Sequence, residues 1–99
     1  METIVRIKEI LPLQTIEYQD RTDGSTQVLR KKQLIVTQGD QVFMVEANGR
    51  LAESIDAATY LLPGTLCFLS CRLYTREFLT KENTRGFSTD IQVRSISPI

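Results

Sequence analysis

Hydrophobic and polar residues alternate along most of the chain, which is the two-residue period of strands with one buried face. In residues 2–14 the apolar residues Val5, Ile7, Leu11 and Leu13 share one parity, while Arg6 and Lys8 take the other. The same kind of pattern, rich in β-branched and aromatic residues, recurs in four further segments: 28–37, 41–47, 65–76 and 87–96. The alternation therefore predicts five strands.

One segment changes period. Between residues 50 and 62, apolar side chains return at the spacing of a single helical face, at Leu51, Ile55, Ala58 and Leu62. Pro63 and Gly64 follow at once and supply a stop signal. A short helix is predicted between the third and fourth strands.

The connections between the strands differ in length. Gln38-Gly39-Asp40 is a short turn, so strands two and three are predicted to form a hairpin. The polar segments 19–26 and 80–86 are too long for tight turns, and we expect them to project as loops after strands one and four. Pro12 cannot donate to a ladder and marks a bulge or an edge within strand one.

Five strands with one helix between the third and fourth are the arrangement of the OB fold. We therefore predict an all-β fold, a five-stranded OB-fold barrel, with residues 1–99 forming a single domain. A sandwich and an open sheet share this order of elements, and the sequence leaves them as alternatives.

Composition adds that 41% of the 99 residues are hydrophobic, which is enough for the core of one domain. Twelve basic and twelve acidic residues cancel, so no global positive field points to nucleic acid. The N-terminus has no apolar signal segment, and no apolar run is long enough to span a membrane. We expect a cytoplasmic protein.

Several kinds of chemistry are excluded. There is no histidine, which removes the Ser-His-Asp and Cys-His nucleophile systems, and no glycine-rich phosphate loop. Cys67 and Cys71 lie four residues apart on one predicted strand, about 13 Å at strand rise, which is too far for a disulfide. We expect buried free thiols, no metal or cofactor, and no enzymatic activity.

Cations and aromatic rings gather at particular places. Proteins that bind single strands combine a basic groove with aromatic faces for base stacking, and in OB folds that groove crosses strands two and three between the two long loops. The candidate nucleic-acid-binding residues in or beside these places are Tyr18, Arg21, Arg30, Lys32, Phe43, Arg76, Phe78, Lys81, Arg85 and Phe87.

Some of these residues have other interpretations. Phe87 shares its parity with Ile91, and Phe43 with Val45, so both rings fit core positions as well. The run 30–32 is also suited to protecting a strand edge from unwanted pairing. Phe68 and Tyr74, on the other face of strand four, are candidates for a subunit interface, where aromatic residues are enriched.

Four short pieces also resemble a group of small bacterial OB-fold proteins described as candidate single-stranded DNA-binding proteins. They are Ile10-Leu11-Pro12-Leu13-Gln14-Thr15, Lys31-Lys32-Gln33, Thr75-Arg76-Glu77-Phe78 and Phe87-Ser88-Thr89-Asp90-Ile91. The size and layout are similar to the primosomal replication protein N group, which implies a dimeric OB fold that acts in DNA replication. The chain departs from the group at Arg30 and Ala47, where aromatic residues often stand, and this removes two possible stacking platforms.

Two functions follow as hypotheses. The first is binding of single-stranded DNA, with RNA as a second candidate ligand, without catalysis, by a homodimer or higher homo-oligomer with no membrane association. The alternative is a protein-interaction or assembly module on an OB barrel that has lost nucleic-acid binding. The neutral charge and the missing aromatic residues favour the alternative.

Overall fold

The predicted first strand is divided in the structure, a computed structural model that describes residues 1–99, because the chain leaves the ladder at residues 11–13 around Pro12. The order of elements otherwise follows the prediction, with six strands in place of five. The strands are β1 (Glu2–Ile10), β2 (Gln14–Gln19), β3 (Thr26–Gln38), β4 (Gln41–Asn48), β5 (Leu66–Leu79) and β6 (Arg85–Pro98), and the helix is α1 (Arg50–Ala57).

Five of the strands bond in a ring, in the order β1–β5–β6–β4–β3 and back to β1. All of these pairings are antiparallel except that of β4 with β6, which closes the ring through one parallel pair, Glu46 with Gln92. The remaining strand, β2, lies outside the ring and pairs with the first half of β3. The prediction of an all-β OB fold with one short helix between its third and fourth ring strands is confirmed.

The core lies inside this ring and follows the predicted alternation. Thirteen residues are buried in one cluster, among them Val5, Leu34, Val45, Leu69 and Val93, one from each strand of the ring. Cys67 and Cys71 are both buried, free, and on this inner side of β5. The apolar side chains that alternate along the ring strands therefore form the interior.

Helix α1 is shorter than predicted. It ends at Ala57, because Ala58 already has extended backbone angles, and residues 58–65 continue as turns. Ala52 and Ile55 are its buried residues; beyond it Leu61 enters the core, whereas Leu62, predicted to lie on the helical face, is exposed. No helix of the chain has the length and apolar character needed to cross a membrane.

Two hairpins project beyond the ring. The first is β2 with the start of β3, turning at residues 20–25, and the second is formed by residues 73–79 of β5 and 85–91 of β6, turning at residues 80–84. We call them the first arm and the second arm. Leu73 was predicted on the core face, but it is exposed, because its strand has left the ring at that point. Its partner Ile91 still packs against the core, and beyond this pair the alternation continues along an arm that has no core to cover.

Candidate nucleic-acid interface

Strand alternation sorts the side chains of the first arm into two faces. Tyr18 stands opposite Gln27, and Ile16 opposite Leu29, so both pairs share the face on which Lys31 lies opposite Gln14. This face continues along β3 to Gln33, away from the core residues Leu34 and Val36. We call this side of the sheet, which points away from the ring interior, the outer face.

The second arm presents Phe78 and Phe87 on opposite faces. Phe78 pairs with Gly86, and Phe87 pairs with Glu77, so the two rings belong to adjacent rungs of one ladder and point in opposite directions. Phe78 lies on the outer face with Arg72, Tyr74 and Arg76. Phe87 lies on the inner face, which continues from the core residues of β5 and β6. The structure therefore does not bring the two rings together.

Between the arms, the outer face includes the single residue pair that closes the ring, Glu46 with Gln92. A hollow of about 380 Å³ lies there, lined by Glu46, Asn48, Arg72, Gln92, Val93 and Arg94. Three of the lining residues, Glu46, Arg72 and Gln92, contact polar partners: Lys31 Nζ stands 3.5 Å from Glu46 Oε2, and Arg72 Nε donates to Gln92 Oε1 at 3.2 Å. Asn48 Oδ1 is buried there without a hydrogen-bond partner. The polar side chains that line the hollow thus form a polar path between the two arms.

The cations of this path differ in how far they are neutralised. Arg76 stands 3.5 Å from Asp90 and Lys31 is paired with Glu46, both at long distances for an ion pair. Arg72 and Arg94 take part in none of the five ion pairs of the chain. Two arginines therefore remain free to neutralise an anion at the hollow.

The ring of Phe78 is held against the opposite strand. A Cβ atom at Gly86 would stand 2.5 Å from Cε2 of the ring and 2.6 Å from Cζ, so the glycine leaves the space that the ring fills. About half of Phe78 nevertheless stays exposed, 47%. One side of the residue is thus fixed on the backbone while the rest faces solvent, as a stacking platform requires.

Phe87 has a different environment. The Arg85 guanidinium lies 5.8 Å from the centre of its ring, and the Arg85 Nε atom is 2.5 Å from Glu77 Oε1. Phe87 is 61% exposed, so it is not a core residue. Its neighbouring cation is already engaged by both a carboxylate and a ring, which leaves the inner face of the second arm less able to attract phosphate.

Three predicted residues face the interior or the helix. Lys32 is only 4% exposed, and its Nζ atom is 2.8 Å from Asp56 Oδ1 on α1; Arg30, on the same side of β3, pairs with Glu53 at 3.1 Å. Phe43 packs against the core from inside the ring. These three residues hold the fold together, and Lys32 is removed from the set of candidate contacts because its ammonium group is not at the surface.

Arg21 and Lys81 lie at the exposed turns of the two arms and form no ion pair. Arg21 shares its turn with two carboxylates. Hydrogen bonds from the Thr22 backbone N–H and hydroxyl lower the pKa of Asp20, and those from the Ser25 hydroxyl and backbone N–H lower the pKa of Asp23. Because both carboxylates are held in the charged form, the tip of the first arm has no positive excess.

Four residues of this face, Lys31, Arg72, Tyr74 and Arg94, were not among the nucleic-acid-binding residues predicted from the sequence. Lys31 could have been predicted, because Lys32 shares the parity of the core residues Leu34 and Val36, which leaves Lys31 on the other face. Arg94 is the unpaired residue at the register shift in the ladder between β5 and β6, and nothing in the local pattern marks that shift. Its place beside Arg72 needed the three-dimensional structure.

No protein-family model matches this chain, and no curated protein does. Among solved structures it is similar to two crystal structures of the mitochondrial single-stranded DNA-binding protein Rim1 of S. cerevisiae, at 12% identity, with TM-scores of 0.56 and 0.54. It is also similar to the small single-stranded DNA-binding protein of Streptomyces coelicolor, at 16% identity and a TM-score of 0.52. Each alignment covers 100% of this chain and 92% of the other, so the similarity shows a shared fold over the whole chain.

Proposed function

We propose that the chain binds single-stranded nucleic acid, preferably DNA, without catalysing a reaction. The observation that carries this proposal is that both arms present an exposed aromatic ring on the same outer face, Tyr18 on the first and Phe78 on the second. The hollow with Arg72 and Arg94 lies between them. The fold shared with single-stranded DNA-binding proteins supports the same ligand.

The chemistry of this face suits an unpaired strand. Stacking on an aromatic side chain contributes about 1–3 kcal/mol per base and requires only a π-face, which every base has. Arginine forks can hold the phosphates that join the stacked bases. A duplex hides its bases from such rings, and therefore the outer face should prefer single strands.

The proposal also covers a second ligand, the oligomeric state and the cellular role. RNA offers the same bases and phosphates, so it is a second possible ligand of this face. A homodimer or higher homo-oligomer, and a place in DNA replication, are implied by the resemblance to the primosomal group. The proposal therefore includes a homo-oligomer and a role in DNA replication.

Binding to a fluorescent oligo-dT tests the proposal directly. We expect micromolar affinity at about 50 mM salt that falls steeply towards about 200 mM salt, because phosphate contacts release counterions. The anisotropy of the labelled oligonucleotide reports this binding, and a duplex of the same length serves as the competitor. Absence of binding at the lower salt concentration would show that the proposed function is wrong.

A matched pair of variants distinguishes the two faces of the second arm. Phe78→Ala should weaken oligo-dT binding on the order of tenfold, the value expected for one lost stacking contact. Phe87→Ala removes a more exposed ring from the inner face of the same arm and should change affinity by less than about twofold. Tyr60→Ala, on the exposed turn after α1, is the control. The opposite ranking of the two Phe variants would move the site to the inner face.

The alternative of a protein-interaction module has one observation in its favour. Five of the twelve cations are paired with carboxylates, and the chain has no net charge. Such a surface attracts a polyanion weakly. The oligo-dT experiment decides between the two functions, because the alternative predicts no salt-dependent binding to DNA.

A further inference from the structure

The hollow beside the ring closure contains a carboxylate that contacts with phosphate do not explain. Glu46 is 8% exposed and lines the hollow, so it stands on a path proposed for a polyanion, which a carboxylate repels. Its neutralisation is incomplete, because Lys31 Nζ and Gln33 Nε2 both approach the same oxygen, Oε2, and only to 3.5 Å. The other oxygen, Oε1, accepts no hydrogen bond. This carboxylate is suited to a ligand group that donates hydrogen bonds.

A second unused acceptor lies next to Glu46 on β4. Asn48 follows two residues later, so its side chain shares the outer face, and its Oδ1 atom is buried at the hollow without a hydrogen-bond partner. A buried acceptor without a donor is rare in folded proteins, because its lost contact with water is not replaced. The χ2 torsion of asparagine has a broad minimum, so the amide can turn this oxygen towards a donor in the hollow. The β4 side of the hollow therefore offers acceptors.

The opposite side of the hollow offers donors. Arg72 on β5 and Arg94 on β6 line it, and neither forms an ion pair. Arg72 donates through Nε to Gln92 Oε1, which leaves its two terminal nitrogens free. Arg94 donates no hydrogen bond, so its complete planar fork of N–H groups is available. A ligand that fits the hollow must combine acceptors on one edge with donors on another.

We propose that the hollow selects guanine among the bases of a bound single strand. Guanine carries two adjacent acceptors, O6 and N7, on one edge and two adjacent donors, N1–H and the N2 amino group, on the next. The Arg94 fork donates to O6 and N7, which is the commonest specific contact of arginine with a base. Glu46 Oε1 and the Asn48 amide oxygen accept from N1–H and the amino group. Arg72 remains available for a phosphate of the same strand.

The other bases of DNA match this arrangement less well. Adenine and thymine set a donor or a methyl group beside each acceptor, so an arginine fork finds only one partner on any edge. Cytosine has adjacent acceptors at O2 and N3 but only one amino group as donor, which makes it the nearest competitor. The hollow, about 380 Å³, lies at the lower end of the range of small-ligand sites, roughly 300–1,000 Å³, and this suits a single base.

Four short oligonucleotides test the selection, which rests on the proposed function because the strand must lie on the outer face to deliver a base. Each is an oligo-dT of about nine nucleotides, within the site size of one OB fold, with dT, dG, dC or dA at its centre. Competition against labelled oligo-dT at about 50 mM salt gives their relative affinities. We expect central dG to bind about five- to tenfold more tightly than central dT, the lower part of the range for one bidentate arginine contact. Central dC should fall between them.

Variants with matched charge locate the selection in the hollow. Arg94→Lys keeps a cation for phosphate but has no fork, so the advantage of dG over dT should fall below about twofold. Glu46→Gln replaces the carboxylate by an amide of the same shape and should also reduce this advantage. Arg50→Lys, at an exposed position on α1 without an ion pair, is the control and should leave it unchanged. Circular dichroism confirms that each variant is folded.

The results distinguish failure of this inference from failure of the proposed function. Equal affinities for the four oligonucleotides, tighter binding of central dC than of central dG, or a dG advantage that survives Arg94→Lys would overturn the inference. In each of these cases oligo-dT itself binds, so the proposed function stands. If none of the four oligonucleotides binds, the proposed function is wrong and the inference fails with it.

Discussion

Phe78 covers Gly86 of the neighbouring strand, and the two residues are fitted to one another. The backbone does not require glycine there, because Gly86 is not among the residues with positive φ. A Cβ atom would instead collide with the ring edge of Phe78 at 2.5 Å. The glycine therefore serves to place the ring, and its substitution tests the platform without removing the aromatic side chain.

Gly86→Ala should weaken oligo-dT binding severalfold while leaving the fold intact. The new methyl group pushes the Phe78 ring away from the strand, and the exposed arm allows the ring to swing aside at little cost in stability. The measurement is oligo-dT anisotropy beside a thermal melt. We expect a smaller loss of affinity than for Phe78→Ala, where the ring is gone; an affinity equal to that of the unsubstituted chain would show that the ring position does not matter.

Lys31 and Arg30 are adjacent cations that point to opposite faces of β3, so their substitutions form a second matched pair of variants. Lys31→Ala should lower the affinity for oligo-dT and reduce the slope of log affinity against log salt by about 0.7–1, the value for one lost phosphate contact. Arg30→Ala should leave that slope unchanged, because Arg30 is directed to Glu53 on α1. Salt titrations of both variants provide the measurement. Equal slopes for the two variants would place the phosphate path elsewhere.

The fold was largely predictable because alternation reports burial wherever a ring strand covers the core. Val5 and Ile7, or Leu34 and Val36, show the pattern that the structure bears out. The division of strand one was signalled only by Pro12, which marks a weak point but not whether the chain resumes as a separate strand. Leu73 shows the limit: it continues the alternation of Cys71, yet it is exposed, because it lies where the second arm leaves the core.

The candidate interface was less predictable, since side-chain orientation alone cannot show where distant strands meet. The sequence placed Phe78 and Phe87 beside one loop, but the tight turn at residues 80–84 extends the ladder through Gly86 and sends the rings to opposite faces. The pair that joins Glu46 to Gln92 brings together strands far apart in the sequence. The hollow beside it depends on that closure.

The ion pair of Lys32 and Asp56 should matter more for stability than the pair of Arg30 and Glu53. Both join β3 to α1, but Lys32 is buried, so Asp56→Asn leaves an ammonium group that water reaches poorly. We expect a loss of about 1–3 kcal/mol, less than for a fully buried pair because Asp56 is partly exposed. Glu53→Gln at the exposed pair should cost about 0–1 kcal/mol. Urea unfolding measures both losses.

Neither substitution on α1 should alter oligo-dT affinity, since both residues lie on the helix side of β3 and not on the outer face. The two substitutions on α1 therefore test stability separately from nucleic-acid binding. A large loss of binding in folded Asp56→Asn would contradict the assignment of Lys32 to the fold alone.

Cys67 should make the protein less stable as the pH rises above about 8.5, where thiols of the unfolded chain ionise. Burial raises the pKa of the Cys67 thiol, so the folded state keeps its proton while the unfolded state loses one. Its contribution to the free energy of unfolding is fully present below the unfolded pKa and is lost as the pH rises towards the folded pKa, with a slope of at most about 1.4 kcal/mol per pH unit.

Urea unfolding between about pH 8 and about pH 9.5 should show this fall in stability with pH in the unsubstituted chain and a shallower fall in Cys67→Ala. The starting stability of that variant is lower, because the smaller side chain leaves a cavity. Identical slopes in the two proteins would show that Cys67 does not ionise on unfolding, and rapid reaction of the native protein with a thiol reagent at pH 8 would contradict its burial.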